Sequence, residues 1–410
     1  MRKLEDFQSI ESVLRSDDFQ PALHVRDSKP LLDGCVLTLT GKEHRDRRRL
    51  ERPLFERSAL EFYEHQILRS SLQIAFEQAE GQRDEAGRPQ IDLLWLTRMT
   101  LVPVTAAVVG LDGVDNEAAV IHLEDISRRL GEGASIEWSN RDRKEVMKEA
   151  MEAKDDLLVN FYNASLERRR DLVASCKAGE IEEDDLPTDL LTLALRESWD
   201  DFDEDLWLKE ALFFVVASAN TTTHATPHVF NEIVNWRNEN PQESHLLEQE
   251  VFIRHAVDEA LRLHGPVPAL LRRALKDAES IAGHSFRANE DIGCMLESAN
   301  TDQNVYGPHS AVFDPHRPES LGRREAHGLS FGSGAHICSG RPLAIGLPTS
   351  RDGGPEVIGV LPRLIGELLS RGARLNPENP PSFRNDTQAE RYETYPLIFD
   401  ELTNESLQPS

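Results

Sequence analysis

From about Glu43 to Leu263, apolar residues recur at intervals of three and four, as in SALEFYEHQILRSSLQIAFEQ and KEVMKEAMEAKDDLLVNFYNASLERRRDLVASC. That period places them on one face of an α-helix, so the spacing predicts a first half built of amphipathic helices. Acidic, turn-forming stretches at Gly179 to Pro187 and Glu197 to Asp205 are short and flanked by amphipathic segments, so they separate helices and not domains. The longest apolar stretch, LWLKEALFFVVASANTTT from Leu206 to Thr223, is interrupted by Lys209 and Glu210. Its uncharged part is too short to cross a bilayer, and it predicts a buried central helix.

Period-two, strand-like material is sparse: CVLTLTG near Cys35, ALKDAESIAGHSF from Ala274 to Phe286, and YPLIFDEL near Tyr395. Between Gly265 and Gly340 the chain is rich in Gly, Pro, Asn and Asp, which predicts an irregular segment packed on a helical body. No repeat and no linker stands out. The expectation is one domain over residues 1–410, mainly α with a small β-rich region.

Composition narrows the function classes. At 410 residues and 39% hydrophobic content the chain can bury a substantial core without staples. Forty-six basic against seventy-two acidic side chains give a net charge of −26, which opposes binding to nucleic acid or anionic membranes. Cys35, Cys176, Cys294 and Cys338 lack C-x-x-C spacing, so neither a zinc knuckle nor a disulfide framework is suggested. Met1 to Phe19 has no uninterrupted apolar core and reads as neither a signal peptide nor an anchor. The expectation is a soluble cytoplasmic protein.

The densest chemistry lies in FGSGAHICSG, where Phe331, Gly332, Gly334, His336, Cys338 and Gly340 stand at fixed offsets, followed by Leu343 and Ala344. Glycines permit tight turns and close backbone approach to a flat ring, and amide N–H groups aimed at a sulfur favour its thiolate. A free thiol, with a pKa of about 8.5, is otherwise mostly protonated at neutral pH. The segment resembles the haem-binding signature of the cytochrome P450 family, F-G-x-G-x-[HR]-x-C-x-G-x-x-L-A, at every position. The resemblance implies haem b (iron protoporphyrin IX) with Cys338 as its thiolate ligand and Phe331, Gly332, His336 and Gly340 around it.

Other family motifs follow in order. Glu259 and Arg262 in DEALRLHGPVP match E-x-x-R, and Arg317 in FDPHRP matches the arginine that joins them in a buried ion network. ANTD, Ala299 to Asp302, is similar to the family's A-N-R-D. Arg272 falls where many soluble members place a haem-propionate partner, with Arg273 the adjacent alternative. GKEHRDRRRLERPLF resembles the H-x-x-x-R helix, putting His44 and Arg48 one turn apart toward the propionates. Arg45, Arg47 and Arg49 are expected to form a solvated basic patch, a candidate surface for an electron donor.

ASANTT in the central helix aligns with A-G-x-[DE]-T-T. There the family uses a kink beside Ala217 to admit dioxygen, a threonine hydroxyl, here Thr221, to assist its activation, and an acid to relay protons. Asn220 stands at the acid's position and cannot shuttle protons through a change of charge. Three routes stay open: a water chain organised by Asn220, Thr222 or His224 as substitute, or weaker coupling of electrons to product. The resemblance runs from about Glu11 to Ala344 and departs twice. Members generally carry a longer segment before the one resembling IESVLRSDDF, so the N-terminus reads as shortened. Pro348 and Gly353-Gly354-Pro355 also break the long helix expected after Ala344.

The resemblance implies a monooxygenase taking electrons from NAD(P)H through a reductase and a ferredoxin. Substrate contacts are expected from Phe19 to Leu39, Phe213 to Ala217, Val267 to Leu271 and Phe383 to Arg391. The apolar residues Phe213, Val216, Val267 and Leu270 suggest a small hydrophobic or aromatic substrate. The alternatives are a haem-thiolate enzyme with a peroxide-driven or non-hydroxylating outcome, and a non-enzymatic haem-binding protein.

Overall fold

The central helix runs over Glu204–Glu239, capped by Asp203, whose carboxylate accepts from the Leu206 N–H. The computed structural model describes residues 1–22, 27–321, 326–348 and 356–399. Around the central helix pack Leu93–Val109, Glu117–Ala134 and Glu250–Leu263. Asp92 and Asn116 cap the first two of these, so each start was written in the sequence as an Asx residue before an apolar run. Val215, Phe230 and Ile233 of the central helix are fully buried. Each contributes roughly 2 kcal/mol by leaving water.

A smaller core is built on a four-stranded sheet in the order Arg2–Leu4, Asp291–Met295, Ala269–Ala274, Phe19–Pro21. The first pair is parallel and the others antiparallel, with Leu270 opposite Cys294 and Pro21 opposite Arg272. Two of these strands lie inside the stretch from Gly265 to Gly340 expected to be irregular. Their residues, ALLRRA and DIGCM, are short and hold polar groups that mask the alternation.

The expected hairpin within Ala274 to Phe286 is present as Ala278–Ile281 paired with His284–Phe286. Pro396–Ile398 pairs with Gln90–Asp92 and Arg374–Leu375. CVLTLTG is not a strand. Its backbone closes into turns, with Thr38 N–H donating to Cys35 O at 2.9 Å. The Val36 N–H is drawn to the buried carboxylate of Glu210, so a tertiary contact overrides β propensity.

After Cys338 the helix Arg341–Ile345 stops at Gly346 (φ +79°), and a second helix, Val360–Ser370, begins after Gly359. The two ends of the intervening excursion touch: Leu347 N–H donates to Val357 O at 2.9 Å. A Cβ on Gly346 would stand 2.2 Å from Ile358 O, so only glycine allows this approach. Buried Glu64 pins the return, accepting from the N–H groups of Ile358 and Gly359 at 2.9 and 3.0 Å and pairing with Arg363 at 2.8 Å. The expected break is therefore accommodated by two facing glycines and one carboxylate. Of the Pro348 to Pro355 segment, residues 349–355 lie outside the described residues. Among the described residues no helix is long and apolar enough to cross a membrane.

Candidate functional site

Cys338 sits in a loop closed by its own N–H donating to Phe331 O at 2.9 Å, with Gly332 N–H donating to Leu329 O at 2.8 Å. Gly332 and Gly334 hold φ of +70° and +72°, and a Cβ on Gly334 would strike Leu14 O at 2.4 Å. These two glycines fold the loop back against the Phe7–Arg15 helix. The Cys338 side chain is surrounded by the fold yet keeps accessible surface. Burial pushes the thiol up, while the N–H groups of Gly340 and Arg341 and the charges of Arg48 and Arg341 pull it down. On the outer side of this loop lies a cavity of about 1120 Å³ lined in part by Arg254, His255, Asp258, Ile337 and Arg341.

Beside the loop the structure gathers the four residues assigned to a propionate site. The His44 and His336 ring centroids lie 4.0 Å apart, with the rings tilted by 36°. Arg48 donates to Ile337 O at 2.9 Å and also binds the Ser339 hydroxyl. Arg272 is buried on its strand, close enough for its charge to act on His336. Burial, then Arg48 and Arg45, holds His44 down to about 4. Burial, then His44, Arg272 and Arg48, holds His336 down to about 3. None of the four makes an ion pair among the described residues. A cluster of donors that repel one another's protons is a cradle for a dianion, and it fits the paired carboxylates of haem b. Arg273, the alternative, is forked onto Asp291 at 2.7 and 3.1 Å and points its charge elsewhere.

Facing the loop is the middle of the central helix, with Phe55 between them. Its ring stacks on Phe214 at 6.2 Å and would lie 4.0 Å from a Cβ on Gly340. Thr221 donates to Ala217 O at 2.8 Å, the back-bonding that bends helices. Thr222 O accepts from the Thr226 hydroxyl at 2.8 Å. Ser218 accepts from Thr105 at 2.9 Å. The Asn220 amide donates to Ser127 O and Oγ, both at 3.1 Å, and so clamps the central helix to Glu117–Ala134. The clamp is tight, since a Cβ on Gly131 would meet Asn220 at 2.8 Å.

Glu259 and Arg262 are wholly buried and doubly bonded at 2.7 and 2.8 Å, and Arg317 joins Glu259 at 3.0 Å. The sequence left Asn300 without a role. It holds the segment entering the cysteine loop, accepting from Leu329 N–H at 2.7 Å and donating to Ser330 at 3.0 Å. Its signal was the A-N-x-D motif itself. Of the four segments expected to touch substrate, Leu23 to Arg26 lie outside the described residues.

Arg47 departs from the expected solvated patch: it pairs with the buried carboxylate of Glu210 and lies 4.5 Å over Trp207. Arg45 and Arg49 remain exposed. Next to Glu210, Glu51 is buried and neither of its oxygens finds a donor. It reaches Glu210 only as a protonated acid, and burial, then Glu210, raises its pKa well above 4.5. Above that value the unfolded carboxyl loses its proton while the folded one keeps it, so stability falls as pH rises. Glu51→Gln is therefore expected to stabilise the protein by about 1–3 kcal/mol. The gain should grow from pH 5 to pH 8 in urea unfolding, and an equal gain at both would reject the account.

The sequence model of the family described as Cytochrome P450 matches residues 227–346. Over 99 residues the chain is 39% identical to mycinamicin VIII C21 methyl hydroxylase of Micromonospora griseorubida, covering 24% of each protein. Over 116 residues it is 31% identical to indoleacetaldoxime dehydratase of Arabidopsis thaliana, covering 26% of this chain and 23% of that one. The matched segment thus spans about a quarter of the length of these curated relatives. The fold likeness is far broader. The crystal structure of the Tepidiphilus thermophilus P450 heme domain superposes with a TM-score of 0.72 over 99% of this chain and 90% of that one, at 18% identity. A mainly α fold shared along the whole chain with that heme domain, and a family-model match that covers the Cys338 loop and the Glu259 network, give the likeness: over residues 227–346 the chain is similar to the cytochrome P450 family.

Proposed function

We propose that the protein is a cytoplasmic haem-thiolate monooxygenase that inserts one oxygen atom of O2 into a small hydrophobic or aromatic molecule. Its electrons come from NAD(P)H through a reductase and a ferredoxin. The observation that carries this is the Cys338 loop, whose side chain keeps accessible surface and where the N–H groups of Gly340 and Arg341 oppose the rise that burial gives the thiol. Haem b bound there supplies one-electron and oxygen chemistry, made more reactive by a thiolate ligand.

The rest is the work of this chain. Cys338 provides the sulfur, and His44, Arg48, Arg272 and His336 bind and orient the propionates. Phe331, Gly332 and Gly340 would let the loop approach the ring, and Ala217 would leave space beside it on the central helix. The Thr221 hydroxyl, which donates to Ala217 O, would be the hydrogen-bond donor this helix offers to the oxygen chemistry. Asn220 holds the helix in place, which leaves Thr222 or His224 to organise proton delivery.

A second reading, a redox-neutral outcome such as dehydration, is favoured by the commitment of the Asn220 amide to Ser127, which leaves no acid at the relay position. The deciding experiment is the reduced, carbon monoxide-treated protein. A Soret band strongly shifted to the red is expected, and an unshifted band sinks the haem-thiolate proposal. Product formed without oxygen or electron donor would select the second reading.

A further inference from the structure

Arg391 closes the loop that begins at Phe383, just before the strand Tyr392–Thr394. Its guanidinium makes no hydrogen bond or ion pair among the described residues, and its Nε is buried without an acceptor. The carboxylates nearby are already engaged. Asp386 and Glu132 hold Arg384 at 2.7 and 2.9 Å, Glu132 and Glu149 hold Arg141 at 2.7 and 2.6 Å, and Glu124 holds Arg98 at 3.1 Å. Among the described residues of this cluster, Arg391 is the arginine without a direct counter-ion. Burying a guanidinium nitrogen without an acceptor is costly, and an anion is the partner that would both accept from it and balance its charge.

His224 supplies an independent observation. It lies one turn past Thr221 on the same face of the central helix. Its Nδ1 is buried without a partner, and burial, then the charges of Arg391, Arg98 and Arg384, keeps the ring neutral. Ala217, Thr221 and His224 keep accessible surface midway along a helix whose Thr223 and Ala225 are buried. This stripe is therefore the open face of the helix, the one the proposed reaction would use, with the half-buried Phe213 and Val216 farther along it.

We propose that Arg391 and His224 bind the carboxylate of an apolar monocarboxylic acid whose hydrocarbon part lies along Phe213 and Val216. This substrate class rests on that face being the monooxygenase site. The guanidinium supplies charge-assisted hydrogen bonds and the neutral imidazole one more. The apolar stripe takes the remainder of the molecule.

The test titrates haem-loaded protein with decanoate and with decanamide, which matches it in shape without the charge, following the Soret shift and the thermal midpoint. Decanoate should bind about tenfold or more tightly than the amide. Arg391→Met should bring the ratio near one, and Arg391→Lys should keep part of the preference. Should Arg391→Met fail to fold, Arg391→Gln replaces it. A guanidinium with a merely structural role predicts a lower midpoint in the variants with an unmoved ratio, and that outcome overturns the proposal. Equal binding of acid and amide by the wild type, or no binding of either, overturns it as well. A normal carbon monoxide spectrum beside any of these failures confines the error to the substrate class.

Discussion

Glu259→Gln is expected to destabilise the protein by about 3–5 kcal/mol, a large share of the stability of an ordinary domain. The two oxygens of Glu259 receive Arg262 Nε and Nη2 at 2.8 and 2.7 Å, Arg317 Nε at 3.0 Å and the Asp314 N–H at 3.2 Å. Glutamine keeps the volume but removes the only carboxylate, among the described residues, in direct contact with either guanidinium. Arg262 would be left with Ser310 O at 2.7 Å and Asn300 O, and Arg317 with Tyr306 O, His309 O and Val312 O at 2.9, 3.0 and 3.1 Å. Carbonyl oxygens satisfy donors but do not neutralise a buried charge.

The damage would also spread to the site. Ser330 donates to Leu261 O at 2.6 Å, so the helix carrying Glu259 and Arg262 anchors the segment that enters the cysteine loop. Haem retention should fall together with the urea midpoint. A Glu259→Gln protein within about 1 kcal/mol of wild type would show that the carbonyl acceptors suffice.

Much of this arrangement was legible in the sequence because it is carried by residues at fixed short offsets. E-x-x-R puts two side chains on one helical face, and the glycines around Cys338 encode positive φ in the order in which the loop needs it. What escaped was long-range. Arg47 and Arg49 are alike in sequence, yet Arg47 ends on Glu210, 163 positions away, while Arg49 stays in solvent. The acid interrupting the apolar run at Glu210 was the one sign that a partner had to be found for it. Asn220 shows the complementary limit. Its alignment with a relay acid is a statement about position along the helix, whereas its chemistry is set by Ser127 on a neighbouring helix. The strands at Ala269–Ala274 and Asp291–Met295 were missed because each is too short for its alternation to rise above the surrounding turn residues.

Cys338→Ser is expected to abolish the red-shifted carbon monoxide band completely while leaving the fold within about 1 kcal/mol of wild type. The fold should tolerate the change because the bonds that close the loop are made by backbone atoms, Cys338 N–H to Phe331 O and Gly332 N–H to Leu329 O. Arg48 ties the same loop through Ile337 O. The ligand chemistry should not tolerate it. The N–H groups of Gly340 and Arg341 and two arginine charges work against burial to favour an anion at this atom. Burial still outweighs them and holds the thiol above its ordinary value, and a hydroxyl, whose proton is far harder to remove, stands much further from an anion.

The other buried cysteines offer no substitute. Burial and Glu210 drive Cys35 up, and burial raises Cys294 to about 11 against the opposing charge of Arg272. Survival of the shifted band in Cys338→Ser, with its loss in a Cys35 or Cys294 variant, would place the ligand elsewhere. Loss of the band with an unchanged urea midpoint separates ligation from folding, because only the sulfur has been altered.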